Sequence, residues 1–261
     1  MSEWHTILLR SEAPDDLLLS ALPENWQEYG RWLLNQADIP KSYRNHPFTD
    51  AQALDAAKVD ISAALGISLG QLIRLLQINR LLRSRAPAAE NWQFGQVQTP
   101  IGEMLAVFGT RGLCLLEFAD RKMLPTELRT LFATQKNYGL TTATAEQLAP
   151  LQQQLDEYFA GQRQQFTLAL EMIGTDFQQS VWQVLQNIPY GETRSYKAQA
   201  EQLGRPSAVR AVANANGQNK ISIIIPCHRV IGADGRLTGY GGGLPRKQYL
   251  LTLEQQDKRA S

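Results

Sequence analysis

The chain has 261 residues, of which 43% are hydrophobic, with a formal net charge of +1 and only two cysteines. This length suits roughly two domains of about 100 to 200 residues, and the near-neutral charge excludes a global polyanion-binding signal, so any nucleic-acid contact must come from a local patch. Cys114 and Cys227 cannot make a disulfide framework or a four-cysteine zinc site, and the three histidines at 5, 46 and 228 are scattered, so neither a structural metal nor a cofactor is expected.

No apolar run approaches the roughly 18 residues of a membrane span. Glu12, Asp15 and Asp16 interrupt any leader-like pattern at the N-terminus, and a cytoplasmic protein without membrane contact is the expectation. Residues 1 to about 90 read as a separate helical domain, with Leu17 to Leu19, Trp26, Tyr29, Trp32 and Leu33 supplying apolar faces and Pro14, Pro23, Pro40 and Pro47 punctuating them. From Gln71 to Arg85, Leu72, Leu75, Leu76, Asn79 and Leu82 recur at helical spacing beside Arg74, Arg80, Arg83 and Arg85, which fits either a basic amphipathic helix or a packing helix with an exposed arginine face. Ala86 to Glu90 reads as a linker.

From Trp92 the pattern changes to three antiparallel strands. Turn clusters at Thr99–Gly102 and Gly109–Gly112 bracket strands at Met104–Phe108 and Leu113–Phe118, and Cys114 lies in the last of them as a packing residue. Helices follow Pro125, the clearer one carrying Leu148, Leu151, Leu155, Tyr158 and Phe159 on one face and stopping at Gly161. Residues 91 to 170 read as scaffold without chemistry of their own, and residues 171 to 256 as a distinct domain.

In that last segment Thr175-Asp176-Phe177-Gln178 is a capping-box signature for a helix bearing Val181, Trp182, Leu185 and Ile188. Ser195 can cap a second helix from Tyr196 to Leu203, and Pro206 opens a third reaching Asn214, which is the outline of a helix-turn-helix. The third helix is rich in small residues around Arg210. That composition suits close approach to a DNA groove or, equally, tight helix packing. Between Glu192 and Lys247 nine Lys or Arg face three acids, a local basic surplus.

Ile221-Ser222-Ile223-Ile224-Ile225 reads as a buried strand that Pro226 stops, delivering Cys227 at its exit next to His228 and Arg229. A cysteine there is either a small buried hydrophobe or a nucleophile whose thiolate is favoured by cationic neighbours. On a regular strand Cys227 and His228 face opposite ways, so they can cooperate only if the backbone leaves strand geometry at the proline.

Together, Phe177–Trp182, Ile188–Thr193, Ser195-Tyr196, Ala208–Val212 and Ile225–Val230 resemble the O6-alkylguanine-DNA alkyltransferases, in particular the C-terminal module of bacterial adaptive-response (Ada) proteins, over residues 92 to 254. The resemblance implies an α+β protein: a ribonuclease H-like three-stranded subdomain followed by a helical alkyltransferase domain. It implies stoichiometric DNA repair, in which a nucleotide is flipped from double-stranded DNA and the alkyl group of O6-alkylguanine, and of O4-alkylthymine, passes to Cys227. His228 and Glu254 would activate Cys227 through water, Tyr196 would act on the flipped nucleotide, and Asn219 would be a hinge asparagine. Arg210 would fill the vacated stack from a DNA-binding face including Ser207, Ala208 and Ala211, while Tyr240, Gly241 and Gly242 would line the base pocket. A monomer is expected. The Gln71–Arg85 helix resembles the closing helix of an AraC-type DNA-binding domain, and no cysteine precedes Cys114, so the zinc chemistry of the adaptive-response proteins is not implied. A non-catalytic lesion sensor or a transcriptional regulator is the competing reading. The intact Pro226-Cys227-His228-Arg229 argues against it, because the alkyltransferase-like sensors replace that cysteine.

Overall fold

The computed structural model describes residues 14–35, 51–135 and 137–260. His5, Pro40, His46 and Pro47 lie outside the described residues, as does the side chain of Leu33. The chain divides into two compact units, 1–86 with 124–134, and 87–123 with 135–261.

The first unit is helical: α1 (Pro14–Ala21), α2 (Gln27–Asn35), α3 (Ala51–Leu65), α4 (Leu69–Arg83) and α5 (Leu124–Thr134). Ser68 caps α4 through a reciprocal box with Gln71, which satisfies backbone donors that a helix start leaves open. The expectation of a basic, amphipathic α4 is corrected here. Leu69, Leu72, Ile73, Leu75, Leu76, Gln77, Ile78, Asn79 and Leu82 are buried, so most of the helix circumference is covered, two polar side chains included. Two of the arginines counted with it serve the fold: Arg80 donates to the carbonyl of Leu34, and Arg85, just past its end, to that of Phe132 in α5. α4 is the central helix of this unit, packed against α3 and α5. No single helix among the described residues is long and apolar enough to cross a membrane.

The second unit begins within an exposed stretch from Ala86 to Glu90. Its sheet runs β3-β2-β1-β4, with β1 (Asn91–Val97), β2 (Met104–Phe108) and β3 (Leu113–Phe118) antiparallel as expected. A fourth strand, β4 (Gly139–Thr142), adds to β1 in parallel. Four residues with two threonines are too short for periodicity to register, and their strand state comes from pairing with β1. Helix α6 (Ala145–Phe159) starts at a Thr144/Gln147 capping box, and Gly161 at φ 73 follows its end. Its apolar face places Leu151, Leu155 and Tyr158 in the core.

Helix α7 (Asp176–Gln186) starts at Thr175 with the predicted box to Gln178. A two-stranded ladder pairs β5 (Arg194–Ser195) with β6 (Val230–Ile231), α8 (Tyr196–Gln202) starts at the Ser195 cap, and α9 (Val209–Gly217) follows a 3-10 turn at Pro206–Ala208. α7, α8 and α9 pack on one another, and a buried amide pair, Gln199 with Asn216, fixes α8 against α9. α10 (Leu244–Ala260) closes the chain. One core joins the sheet to these helices, drawing Leu116 and Phe118 from β3, Trp182 from α7, Val212 from α9 and Leu250 from α10.

Candidate active site

The apolar run before Cys227 is not the strand its composition predicts. Within this run only Ile221 bridges to the sheet, parallel to Leu116, whose N donates to the Lys220 carbonyl and whose carbonyl accepts from Ser222 N, each at 2.8 Å. Beyond it the chain folds on itself: Ile225 N donates to the Ile221 carbonyl at 3.0 Å, and Ile223 takes φ 72, a conformation that costs a β-branched residue. Asn219 makes the turn possible. Its Oδ1 accepts from Ile221 N at 3.0 Å and its Nδ2 donates to the Ile225 carbonyl at 2.9 Å, replacing the ladder partners a strand would have had. A fully buried turn and a fully buried strand demand the same apolar composition, so periodicity cannot separate them.

Cys227 therefore opens a 3-10 turn, Cys227–Arg229, rather than ending a strand. It is 7% exposed, and its Sγ accepts from Asn219 Nδ2 at 3.2 Å. Burial pushes the Cys227 thiol up; the Asn219 amide and, more distantly, Arg121 and Lys247 pull the other way, while Glu117 adds to the rise. The expected contribution of Arg229 to a thiolate is corrected by its contacts. Its guanidinium is turned onto Glu254, with Nε 3.0 Å from Oε2, and onto the Ile188 carbonyl at 2.6 Å, so its charge is compensated there.

His228 and Glu254 do come together. The imidazole Nε2 lies 2.8 Å from Glu254 Oε1, both groups fully buried, and the same carboxylate accepts from Tyr158 Oη at 2.7 Å and from Gly191 N at 3.0 Å. Burial pushes His228 below its ordinary range, Glu254 opposing, so the ring is neutral at neutral pH. Burial would raise Glu254, but His228 and the Arg229 guanidinium outweigh it and hold the carboxyl at about 2. A neutral imidazole beside an ionised carboxylate must donate from Nε2, which leaves Nδ1 as a lone-pair acceptor. That Nδ1 is buried and takes no protein hydrogen bond.

A cavity of about 690 Å³ opens beside this centre, lined by Tyr196, Gly217, Arg121 and the loop from Thr238 to Gly243. Tyr196 Oη donates to the Thr238 carbonyl at 3.3 Å. The Tyr240 ring stands edge-on to His228 at 6.4 Å, with its hydroxyl buried beside Ser222. Burial raises both phenols, and both lie near enough to Cys227 for a thiolate there to raise them further. Lys247, fully buried, donates to the carbonyls of Val230 at 2.5 Å and Thr238 at 2.7 Å and so ties the loop to β6; burial pushes it down to about 8. Gly241 and Gly242 allow the loop to pass where a Cβ would strike Arg121 or Phe118.

Arg210 and Ala211 are apart from this centre, on the solvent face of α9 with Ser207, Asn214 and Gln218, while Ala208 is half-buried and Val212, Ala215 and Asn216 face inward. The local basic surplus is smaller at the surface than its count implies. Arg229 is turned inward to Glu254, Arg246 pairs with Asp120, Lys247 is spent on carbonyls, and Arg194 and Arg236 pair with Glu192 and Asp234.

Four contributors escaped the reading of residues 91 to 170 as scaffold: Glu117, Asp120 and Arg121 at the end of β3, and Tyr158 on α6. Glu117 and Arg121 make a buried ion pair, Ser222 Oγ donates to Glu117 at 2.9 Å, and Asp120 holds Arg246. The available signal was a single glutamate in the otherwise apolar strand Leu113–Phe118, since a carboxylate is rarely fully buried without a partner.

The model of the 6-O-methylguanine DNA methyltransferase ribonuclease-like domain matches residues 94–172, and that of the DNA-binding domain of the same proteins matches 176–256. A methylated-DNA–protein-cysteine methyltransferase of Mycolicibacterium paratuberculosis is 46% identical over 170 residues, covering 65% of this chain and 96% of that protein. The constitutive methylated-DNA–protein-cysteine methyltransferase of Bacillus subtilis is 42% identical over 167 residues, covering 60% and 92%. Among solved structures, Mycobacterium tuberculosis O6-methylguanine methyltransferase aligns with TM-score 0.55 at 43% identity over 64% of this chain and 94% of that one, and a DNA complex of the M. tuberculosis protein aligns with TM-score 0.54 at 42% identity over the same shares.

Proposed function

Because this chain belongs to the 6-O-methylguanine-DNA methyltransferase family, and so repairs DNA by moving an alkyl group directly onto a cysteine of its own, we propose that Cys227 is that cysteine and that His228 takes its proton. The observation that carries this reading is the 2.8 Å contact of His228 Nε2 with the Glu254 carboxylate beside a buried Nδ1 that has no protein partner. Glu254 holds the Nε2 hydrogen of His228, so Nδ1 is the base, and a water between Nδ1 and Sγ relays the proton.

The chemistry balances between thiol and base. Sγ attacks the alkyl carbon as the thiol proton leaves, the new C–S bond forms, and the bond from that carbon to O6 breaks with its electron pair staying on the guanine. The restored guanine takes up one proton, as many as the thiol lost. The thioether has no internal leaving route, so each protein molecule acts once. Burial makes the resting thiol hard to ionise, and proton removal coupled to attack lowers that barrier.

Reaching O6 in a duplex requires extruding the nucleotide, at a cost of a few kcal/mol. Arg210 on the outer face of α9 fills the vacated stack, with Ser207, Ala208 and Ala211 close to the backbone, and the flipped base enters the cavity between Tyr196 and Tyr240 against Gly241 and Gly242. Double-stranded DNA carrying O6-alkylguanine, and by the same geometry O4-alkylthymine, is the substrate.

Peptide mapping after mixing with O6-methylguanine duplex tests the assignment. One methyl on Cys227, with product never exceeding one equivalent of protein, is expected; a methyl on Cys114, or sustained turnover, overturns it.

A further inference from the structure

We propose that Arg121 is a positioning residue for the transfer, joining the end of the recognition helix α9 to the glycine loop of the base pocket. The inference rests on the assignment of that loop and cavity to the flipped base. Arg121 comes from the turn after β3, in the half of the chain that carries no transfer residue. It is 6% exposed, and its guanidinium meets three segments at once. Nη1 pairs with Glu117, which is itself fully buried and further held by Ser222 Oγ at 2.9 and 3.0 Å and by Phe118 N at 3.1 Å. Nη2 donates to the Gly217 carbonyl at 2.9 Å, at the C-terminal end of α9, where a cation complements the helix dipole. The same guanidinium lies against the Cα of Gly241, whose nearest neighbours for an added Cβ are all Arg121 atoms.

A planar fork with several fixed donors can hold two acceptors in one geometry, which a lysine cannot. Taking this pair out of water costs several kcal/mol per ion, and well-packed apolar residues often stabilise a fold as well or better. Stability is therefore a weak account of why the pair is there, whereas geometry is a direct one. The positions it brings together, 117, 217, 222 and 241, are otherwise far apart in sequence. Two of them border the cavity, Gly217 from the helix that docks on DNA and Gly241 from the loop that receives the base. Arg246 reinforces the same platform, with both Nη atoms on Asp120 and Nη1 also on the Gly242 carbonyl at 3.1 Å. A displacement of about 1 Å at a reacting centre can cost a hundredfold in rate, so the distance from helix end to loop is worth fixing.

The experiment compares single-turnover methylation of Cys227 with DNA affinity. In Glu117→Gln/Arg121→Met both buried charges are gone, so no unpaired carboxylate remains to unfold the protein. This variant is expected to bind O6-methylguanine duplex within about threefold of wild type while the transfer rate falls about tenfold to a hundredfold. Arg121→Lys keeps the charge beside Glu117 but not the fork, and is expected to restore stability without restoring rate. Gly241→Ala is expected to slow transfer in the wild-type background, and to slow it much less beside Glu117→Gln/Arg121→Met, where the Cβ has room. Wild-type transfer by folded Glu117→Gln/Arg121→Met or by folded Arg121→Lys overturns the proposal, as does a Gly241→Ala defect of equal size in both backgrounds. If the double variant does not fold, Arg121→Lys decides. Failure of the wild-type protein to place methyl on Cys227 would instead remove the proposed function.

Discussion

Cys114 and Cys227 are both buried thiols, and burial pushes both up. Burial therefore does not tell a structural cysteine from a reactive one. The side-chain partners and the surroundings do. Cys114 Sγ donates to the Val107 carbonyl at 3.2 Å inside the sheet, which favours the thiol, and the Glu171 charge disfavours the thiolate further. Cys227 Sγ instead accepts from an amide, with Arg121 and Lys247 near enough to favour negative charge. Each sulfur also has an acid that opposes ionisation and cations that favour it, Glu171 and Lys220 at Cys114, Glu117 with Arg121 and Lys247 at Cys227. What separates them is the Cys114 bond to a carbonyl and the nearness of Cys227 to the pocket phenols Tyr196 and Tyr240.

The sharpest way to break this comparison is to exchange sulfur for oxygen at each site. Cys227→Ser is expected to abolish transfer, because a hydroxyl is far harder to deprotonate, while DNA binding survives. Retained methylation of that variant, read by intact mass, would remove Cys227 from its role.

The next effect concerns the base. His228→Ala is expected to slow single-turnover transfer by about a hundredfold or more. Glu254 adds a stability signature. Its folded pKa is about 2 against an ordinary 4.5, so the stability it contributes is fully present above pH 4.5 and is lost as pH falls towards 2. Urea melts of wild type and Glu254→Gln across this window should differ in slope, and parallel pH profiles would show that the carboxylate is not held down.

A smaller effect is expected at the DNA face. Arg210→Ala should slow repair of duplex by about tenfold while barely changing transfer from the free modified base, because only the duplex must be opened. Equal loss on both substrates would take Arg210 out of flipping. Smallest of all is Cys114→Ser, which keeps transfer and costs about 1 kcal/mol of stability, a hydroxyl being able to keep the bond to Val107 while losing apolar packing. A transfer defect there would erase the distinction between the two cysteines.

Removing residues 1–89 sharpens a different boundary. All proposed transfer residues remain, but α5 loses α4, against which it packs in the first unit, and its buried Leu124, Leu128, Leu131 and Phe132 then have to find other cover. A fragment that stays active but melts earlier and aggregates is expected; thermal melting and a transfer assay on the same preparation check it.

What local chemistry can write, the sequence determined. Capping residues at Ser68, Thr144, Thr175 and Ser195, glycine stops and alternating apolar runs set the helices and the three antiparallel strands, because each depends on neighbours within a few residues. The ordered motifs from Phe177 to Glu254 likewise pointed to the family and to Cys227, His228 and Glu254. Tertiary structure alone decided that residues 221–225 turn rather than extend, since Asn219 supplies the hydrogen bonds that a strand partner would have supplied. It alone turned Arg229 away from the sulfur and onto Glu254, and it alone brought Glu117 and Arg121 to the pocket from about 100 residues away. A buried charge is placed by the partner that meets it after folding, and nothing in the local sequence names that partner.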